Sequence, residues 1–274
     1  MTPSGPLHIF VVGVGGTGGH LAPQLARMMW LERENGRPLK MTFVDPDLIE
    51  EKNIGRQNFC PASIGQNKAL DLALRFNAAY GLDIGAIPFK FDPSMIEKAK
   101  AKGGFNHQNG TTLVIDCVDN PSARQMIDQV PLGRGSWLIS CGNAASNGHV
   151  MIGNCKEPQR HNLDAFGFCH YLPSPYRLEP ELLTVQPADG RPEEHHPADN
   201  STAFSMMSCA ELTAVGLQDR MVNVHAAAHA AVMVDEFLKG GLTYFDVRFN
   251  ISPPAVNRKD ISSTNLGGWL GQDS

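Results

Sequence analysis

The chain has 274 residues, 42% of them hydrophobic and 19% charged, with a net charge of −5. This ordinary globular composition suits one core domain with elaborations and a sizeable buried core. The negative balance argues against a dominant nucleic-acid role, because phosphate binding needs a basic face. The first six residues lack a basic segment followed by an apolar one. The apolar stretch at 226–234 contains His229 and is too short to span a bilayer. A cytoplasmic protein without membrane or nucleic-acid partners is expected. Cys60, Cys117, Cys141, Cys155, Cys169 and Cys209 are scattered and form no Cys-x-x-Cys pair, so neither a disulfide framework nor structural zinc is expected.

The apolar run at 8–13 ends in glycine and reads as a buried strand. Helical periodicity follows over 17–31, then a polar turn over 32–38. A second strand at 41–44 ends at Asp45. A polar loop over 46–63 leads to a helix over 65–80, with Leu70, Ala73, Leu74 and Phe76 as its apolar positions. A third strand is expected at 84–91, a short helix at 93–102 and the strongest central strand at 113–118. Asn120-Pro121 opens the next helix, with Asn as the cap and Pro at the first helical position. Strands follow at 137–141 and 149–152. This alternation predicts an α/β, Rossmann-like fold: a mostly parallel sheet with helices on both faces and ligands at the carboxyl ends of its strands. The second half differs. A Pro- and His-rich stretch after residue 153 reads as a long crossover loop. A helix at 222–239, stopped by Gly240-Gly241, precedes a strand at 244–250 and a loose tail from Ser252.

Gly13-Val14-Gly15-Gly16-Thr17-Gly18-Gly19 lies between the first strand and the first helix. Glycines there permit a tight turn and close approach of a diphosphate to backbone N–H groups at a helix N-terminus. The loop alone does not separate a nicotinamide dinucleotide from ATP. Asp45 ends the second strand, where a carboxylate accepts hydrogen bonds from ribose hydroxyls. Beyond it comes a polar cluster, Asn53, Arg56, Gln57, Gly65 and Lys68, for which a nicotinamide-dependent dehydrogenase has no need. Arg56 and Lys68 suit the neutralisation of phosphate oxygens, one as a planar fork and the other as a point charge. Asn53 offers a hydrogen bond without charge. Lys68 falls in the first turn of a helix, where a cation opposes the dipole unless an anion is present. Asp119, at a strand's carboxyl end, is a candidate Mg2+ ligand. Asp116, inside the strand, reads as a structural aspartate.

Asn53-Ile54-Gly55-Arg56-Gln57-Asn58-Phe59 and Ile64-Gly65-Gln66-Asn67-Lys68 resemble the ATP-site signature of the ThiF/MoeB/ubiquitin-activating superfamily, Asn-x-x-Arg-Gln-x-Phe followed by Ile/Val-Gly-x-x-Lys. Gly13 to Gly18 resembles its GxGGxG loop, and Val44-Asp45-Pro46-Asp47 its acidic strand end. Asp116-Cys117-Val118-Asp119-Asn120, followed by Arg124, resembles its D-x-x-D-N motif. The four motifs stand in order within residues 8–124. The resemblance implies an ATP site built from Gly13, Gly15, Gly16, Thr17, Gly18, Asp45, Asp47, Asn53, Arg56, Gln57, Lys68, Asp119 and Asn120. Arg56, Lys68 and Asp119 would be catalytic, with Asp45 on the ribose and Asp119 on Mg2+. It further implies a homodimer that adenylates the C-terminal carboxylate of a small β-grasp, ubiquitin-like protein ending in glycine. One ThiF-like domain is expected, with a nucleotide-binding core at 1–153, the crossover loop at 154–208, and a C-terminal helix and strand at 209–274.

Ser208-Cys209-Ala210-Glu211 has the form of a capping box, which puts Cys209 at a helix N-terminus that favours thiolate. By resemblance Cys209 is the acyl-accepting cysteine. An inert buried cysteine is the equal alternative, and Cys169 is the second candidate. The chain departs from the family pattern twice. It has no cysteine pairs for zinc, and the residues before its first strand carry no arginine to reach a phosphate. Arg124, Arg134 or a partner chain would have to supply that charge. Among branches of the superfamily it most resembles the plasmid-associated PRTRC-system ThiF proteins. Two other readings stay open: a non-catalytic ATP-binding recruitment module, and an NAD-dependent oxidoreductase resting on the glycine loop alone.

Overall fold

The computed structural model describes residues 5–37, 39–102, 110–157, 171–184 and 221–267. Eight strands form one sheet: β1 (Leu7–Val12), β2 (Leu39–Val44), β3 (Gly85–Ile87), β4 (Thr111–Asp116), β5 (Ser136–Asn143), β6 (Asn147–Gly153), β7 (Tyr244–Asn250) and β8 (Ala255–Asp260). Their order is β3-β2-β1-β4-β5-β6-β7-β8. The α-helices among the described residues are α1 (Gly16–Glu34), α2 (Lys68–Tyr80), α3 (Ser94–Lys102), α4 (Pro121–Asp128), α5 (Pro175–Leu178) and α6 (Val222–Lys239). From β3 to β5 the pairing is parallel, and from β5 to β8 it is antiparallel. β1 and β4 are buried at every position, as strands covered on both faces are, with His8, Thr111, Thr112 and Asp116 buried among their apolar residues.

One face of the sheet is covered by α1, α2 and α6, through Leu21, Leu25, Leu72, Phe76, Met233 and Phe237. The other is covered by α3, α4 and α5, through Ile96, Ile127 and Tyr176 packed on Phe10, Val114 and Leu138. This is the expected α/β architecture with helices on both faces.

Two local expectations fail, at the tail and in the third strand, and α2 packs on a face that its leucines do not mark. In α2, Leu70 and Leu74 are 49% and 69% exposed, and the buried stripe is Ala69, Leu72, Ala73 and Phe76. Small alanines set the packed face there because α1 and the sheet approach it closely. Among the described residues the tail after Ser252 is not loose: β8 pairs with β7 along its length. Every residue of β8 is exposed, so it carries no alternating pattern to read. It is held by ladder hydrogen bonds and by the ion pair of Lys259 with buried Asp246 at 3.3 Å. The third strand is also shorter than expected, ending at Ile87 before Pro88.

Buried histidines make the fold acid-sensitive. His8 on β1 is 8% exposed and bonds the Thr42 hydroxyl at 2.9 Å. Burial, with a smaller contribution from Lys40, lowers its pKa to about 4. The unfolded chain takes the proton near the ordinary histidine value. The stabilising effect is therefore complete above about pH 6.5 and is lost as pH falls towards 4. Between pH 7 and pH 5, His8 is expected to remove about 2 kcal/mol of unfolding free energy. His149, lowered to about 4 chiefly by burial, acts in the same direction. Urea unfolding at both pH values should show a shallower pH dependence for His8→Gln than for the wild type. Equal slopes would mean that His8 is not the sensor.

Candidate functional site

A cavity of about 580 Å³ opens at the carboxyl ends of β1, β2 and β4. Here the chain leaves β1 for a helix on one face and β4 for a helix on the other, the place where open α/β sheets bind ligands. Gly13, Gly15, Gly16 and Thr17 form one wall. Gly13 has a φ of 82°, and a Cβ on it would stand 2.9 Å from the carbonyl oxygen of Cys117. A Cβ on Gly18 would stand 2.0 Å from the carbonyl oxygen of Gly13. Only glycines let the chain turn this sharply into α1 while lying against the end of β4.

Asp45 fixes the loop from the second strand. Its carboxylate accepts from Val14 N at 2.8 Å and from Asp47 N at 2.9 Å. Burial raises its pKa; the charge of Lys68 and the two backbone bonds act the other way. Asn67 then ties the loop to the start of α2. Its side-chain oxygen caps the N–H groups of Ala69 and Leu70, and its amide nitrogen donates to the carbonyl oxygens of Asp45 and Asp47. Lys68, the first residue of α2, is thereby held inside the cavity. Its side chain is 8% exposed, and its ammonium lies 2.9 Å from the Asp47 carboxylate.

Arg56 and Gln57 come from the polar loop and line the same cavity. Asn53 is not among the lining residues. It is 2% exposed, accepts from Glu50 N at 2.8 Å, and its carbonyl oxygen receives the N–H groups of Arg56 and Gln57. Its place is beneath the loop, shaping the turn that presents the other two. Gly18 is likewise absent from the lining and serves the turn. Asp119 and Asn120 stand exposed at the end of β4, and Asn120 caps α4 through Ala123 N. Arg124 lines the cavity too. Its guanidinium donates to Val118 O at 3.0 Å and lies 3.5 Å from Asp116. Arg134 is elsewhere, over the ring of Tyr171. Cys209 and Cys169 lie outside the described residues.

Asp116 is fully buried, as its reading as a structural residue requires. It accepts from Val118 N at 2.9 Å, and from the Ser140 and Tyr176 hydroxyls at 2.8 Å each. Burial, reinforced by Asp116, keeps the Tyr176 phenol protonated and therefore a donor.

Several lining residues escaped the sequence reading. Asn143 from β5 and Asn223 from α6 close one end of the cavity around Thr17. Asn143 donates to the Thr17 hydroxyl at 2.9 Å and to the Asn223 side-chain oxygen at 3.0 Å, and the Thr17 hydroxyl donates to the same oxygen at 3.1 Å. Lys90 and Phe91, just after β3, line the cavity as well. A polar Asn223 within the apolar run of α6 was the one available signal.

The arrangement suits a nucleoside triphosphate. The loop leaves no room for side chains beside its backbone N–H groups, and Arg56, Lys68, Lys90 and Arg124 surround the same space. Gln57 is 9% exposed, and its side-chain oxygen has no hydrogen-bond partner among the described residues, which leaves a buried polar atom for a ligand to satisfy.

Fold and cavity together define a doubly wound α/β domain whose glycine loop feeds a helix N-terminus at the sheet's switch point. The chain belongs to the ThiF family, whose model matches residues 6–240. It is 26% identical over 147 residues to the adenylyltransferase and sulfurtransferase UBA4 of Yarrowia lipolytica, covering 53% of this chain and 33% of that protein. It is 28% identical over 154 residues to ubiquitin-like modifier-activating enzyme 5 of Oryza sativa subsp. japonica, covering 53% of this chain and 34% of that one. The chain thus spans about a third of the length of these curated relatives. The crystal structure of E. coli MccB with succinimide shares the fold. Its TM-score is 0.56 at 16% identity, covering 93% of this chain and 63% of that one. Among the described residues no helix is long and apolar enough to cross a membrane.

Proposed function

We propose that the chain adenylates the C-terminal carboxylate of a small ubiquitin-like protein, using ATP. The observation that carries this reading is the meeting, in one cavity, of the glycine loop, Arg56, the buried ammonium of Lys68 and Asp119. Membership of a family whose relatives include ubiquitin-like modifier-activating enzymes supports it. A carboxylate oxygen of the partner's terminal glycine attacks the α-phosphorus of ATP. The bond to the bridging oxygen breaks, and pyrophosphate leaves. The chain's own part is to position the reactants and to balance charge. Arg56 and Lys68 offset phosphate charge, Asp45 faces the ribose, and Asp119 would hold Mg2+, which supplies further charge neutralisation on the phosphates. Cys209 is proposed as a later acceptor: its sulfur attacks the acyl carbon, AMP leaves, and a thioester forms. A cytoplasmic homodimer completes the proposal.

The test is ATP–pyrophosphate exchange with Mg2+ and candidate ubiquitin-like proteins encoded nearby. Exchange should require the partner, fall on Asp119→Ala, and survive Cys209→Ala. One observation favours a second reading, an ATP-binding recruitment module without turnover. Lys68 and Arg124 are already held by the carboxylates of Asp47 and Asp116. Calorimetric binding of ATP without any exchange would select that reading. The nicotinamide alternative rests on the glycine loop alone and gains nothing from the cations around the cavity.

A further inference from the structure

The cavity contains two thiols that adenylation does not use. The parallel ladder of β4 and β5 ends with Asp116 paired to Ser140; Cys117 and Cys141 are the next residue on each side, and both belong to the core under α1 and α6. Both line the same cavity. Adjacent strands lie about 4.8 Å apart, inside the window of about 4.4–6.8 Å over which a disulfide joins two Cα atoms. Cys141 is 2% exposed, whereas Cys117 is half-buried and meets the glycine loop directly. Its Cβ lies 3.3 Å from where a Cβ on Gly18 would stand. Cys60 is exposed on the polar loop, and Cys155 donates to Glu157 O, so neither joins this pair.

We propose that Cys117 and Cys141 form a reversible disulfide when a peroxide enters the cavity, and that nucleotide in the cavity shields them. The shielding rests on the nucleotide-binding reading above; the disulfide does not. The Cys117 thiolate attacks one peroxide oxygen, the O–O bond breaks, and hydroxide leaves as water, giving a sulfenic acid. The Cys141 sulfur then attacks that sulfur, the S–O bond breaks, and a second water leaves. Two thiols lose two electrons and two protons, and the peroxide becomes two waters. The neighbouring Cys141 thiol, together with burial, keeps the Cys117 thiol protonated, so the pair reacts slowly. Residues side by side at the end of a ladder point their Cβ atoms in parallel instead of converging. The bond is therefore strained and easily reduced by thiols.

The full chain, free of nucleotide, is treated with hydrogen peroxide and mapped by mass spectrometry, with exposed Cys60 as the internal gauge of oxidant. A peptide pair joining Cys117 to Cys141 is expected, separable by dithiothreitol and absent from Cys117→Ser. Oxidation of Cys60 with Cys117 and Cys141 still reduced, or a bridge from Cys117 to any other cysteine, would overturn the proposal. Calorimetry first establishes the Mg-ATP affinity. At a concentration tenfold above the dissociation constant, bridging should slow about tenfold, because only the unoccupied fraction reacts. An unchanged rate at that occupancy would overturn the shielding. If calorimetry detects no binding, the nucleotide reading fails, shielding falls with it, and the disulfide is decided by the mapping alone.

Discussion

Lys68→Met is expected to lower partner-dependent ATP–pyrophosphate exchange by about 10²–10³-fold, the usual effect of removing one preorganised group that meets transition-state charge. Lys68 is the first residue of α2, with its ammonium in the cavity. Methionine keeps most of the buried stem and removes the charge. The Asp47 side chain left behind is 63% exposed, so water takes over its solvation, and little stability should be lost. Thermal unfolding of the variant therefore should match the wild type while exchange collapses. Exchange within about threefold of wild type would remove Lys68 from the phosphates, since that corresponds to well under 1 kcal/mol.

Asp116→Ala carries the other large effect, on stability. One fully buried carboxylate there joins β4 to Ser140 on β5, to Tyr176 on α5 and to Arg124 on α4. Arg124 is 12% exposed and would lose its counter-charge, while the Tyr176 hydroxyl would lose its acceptor. Breaking a buried pair from one side costs about 3–5 kcal/mol. Tyr176→Phe, which removes a single hydrogen bond to a charged group, should cost about 1.5–3 kcal/mol. Denaturant unfolding measures both. A loss below about 1 kcal/mol for Asp116→Ala would show that the network contributes little net stability.

The parts of the site that could be read from the sequence share one property: each lies within a short contiguous stretch governed by local rules. The glycine loop, Asp45 at a strand end and Lys68 at a helix start are of this kind. Asn67 could have been read too, since an Asn immediately before a helix is a cap signal. Its further service, tying the exits of β2 and α2 together, depends on a fold-level approach that no local rule supplies. Asn53 carries the family signature yet works from beneath the loop, because a motif records which residue is needed and not which way it faces. The packed face of α2 likewise depends on what approaches it and not on its own sequence. Leu70 and Leu74 are exposed, whereas the packed stripe is Ala69, Leu72, Ala73 and Phe76.

The hydrogen bond from Thr17 to Asn223 spans 206 residues. A ribosome releases the glycine loop, Lys68 and Asp119 long before α6 emerges. Until then the apolar face that α6 covers is open to water, and the end of the cavity that Asn223 closes is unsealed. A nascent chain, or one cut after residue 153, carries every motif of the nucleotide site without a finished site. Under the proposed function, competence to bind nucleotide would report that synthesis has passed α6. Surveys that count motifs in fragments will overstate how many are functional units.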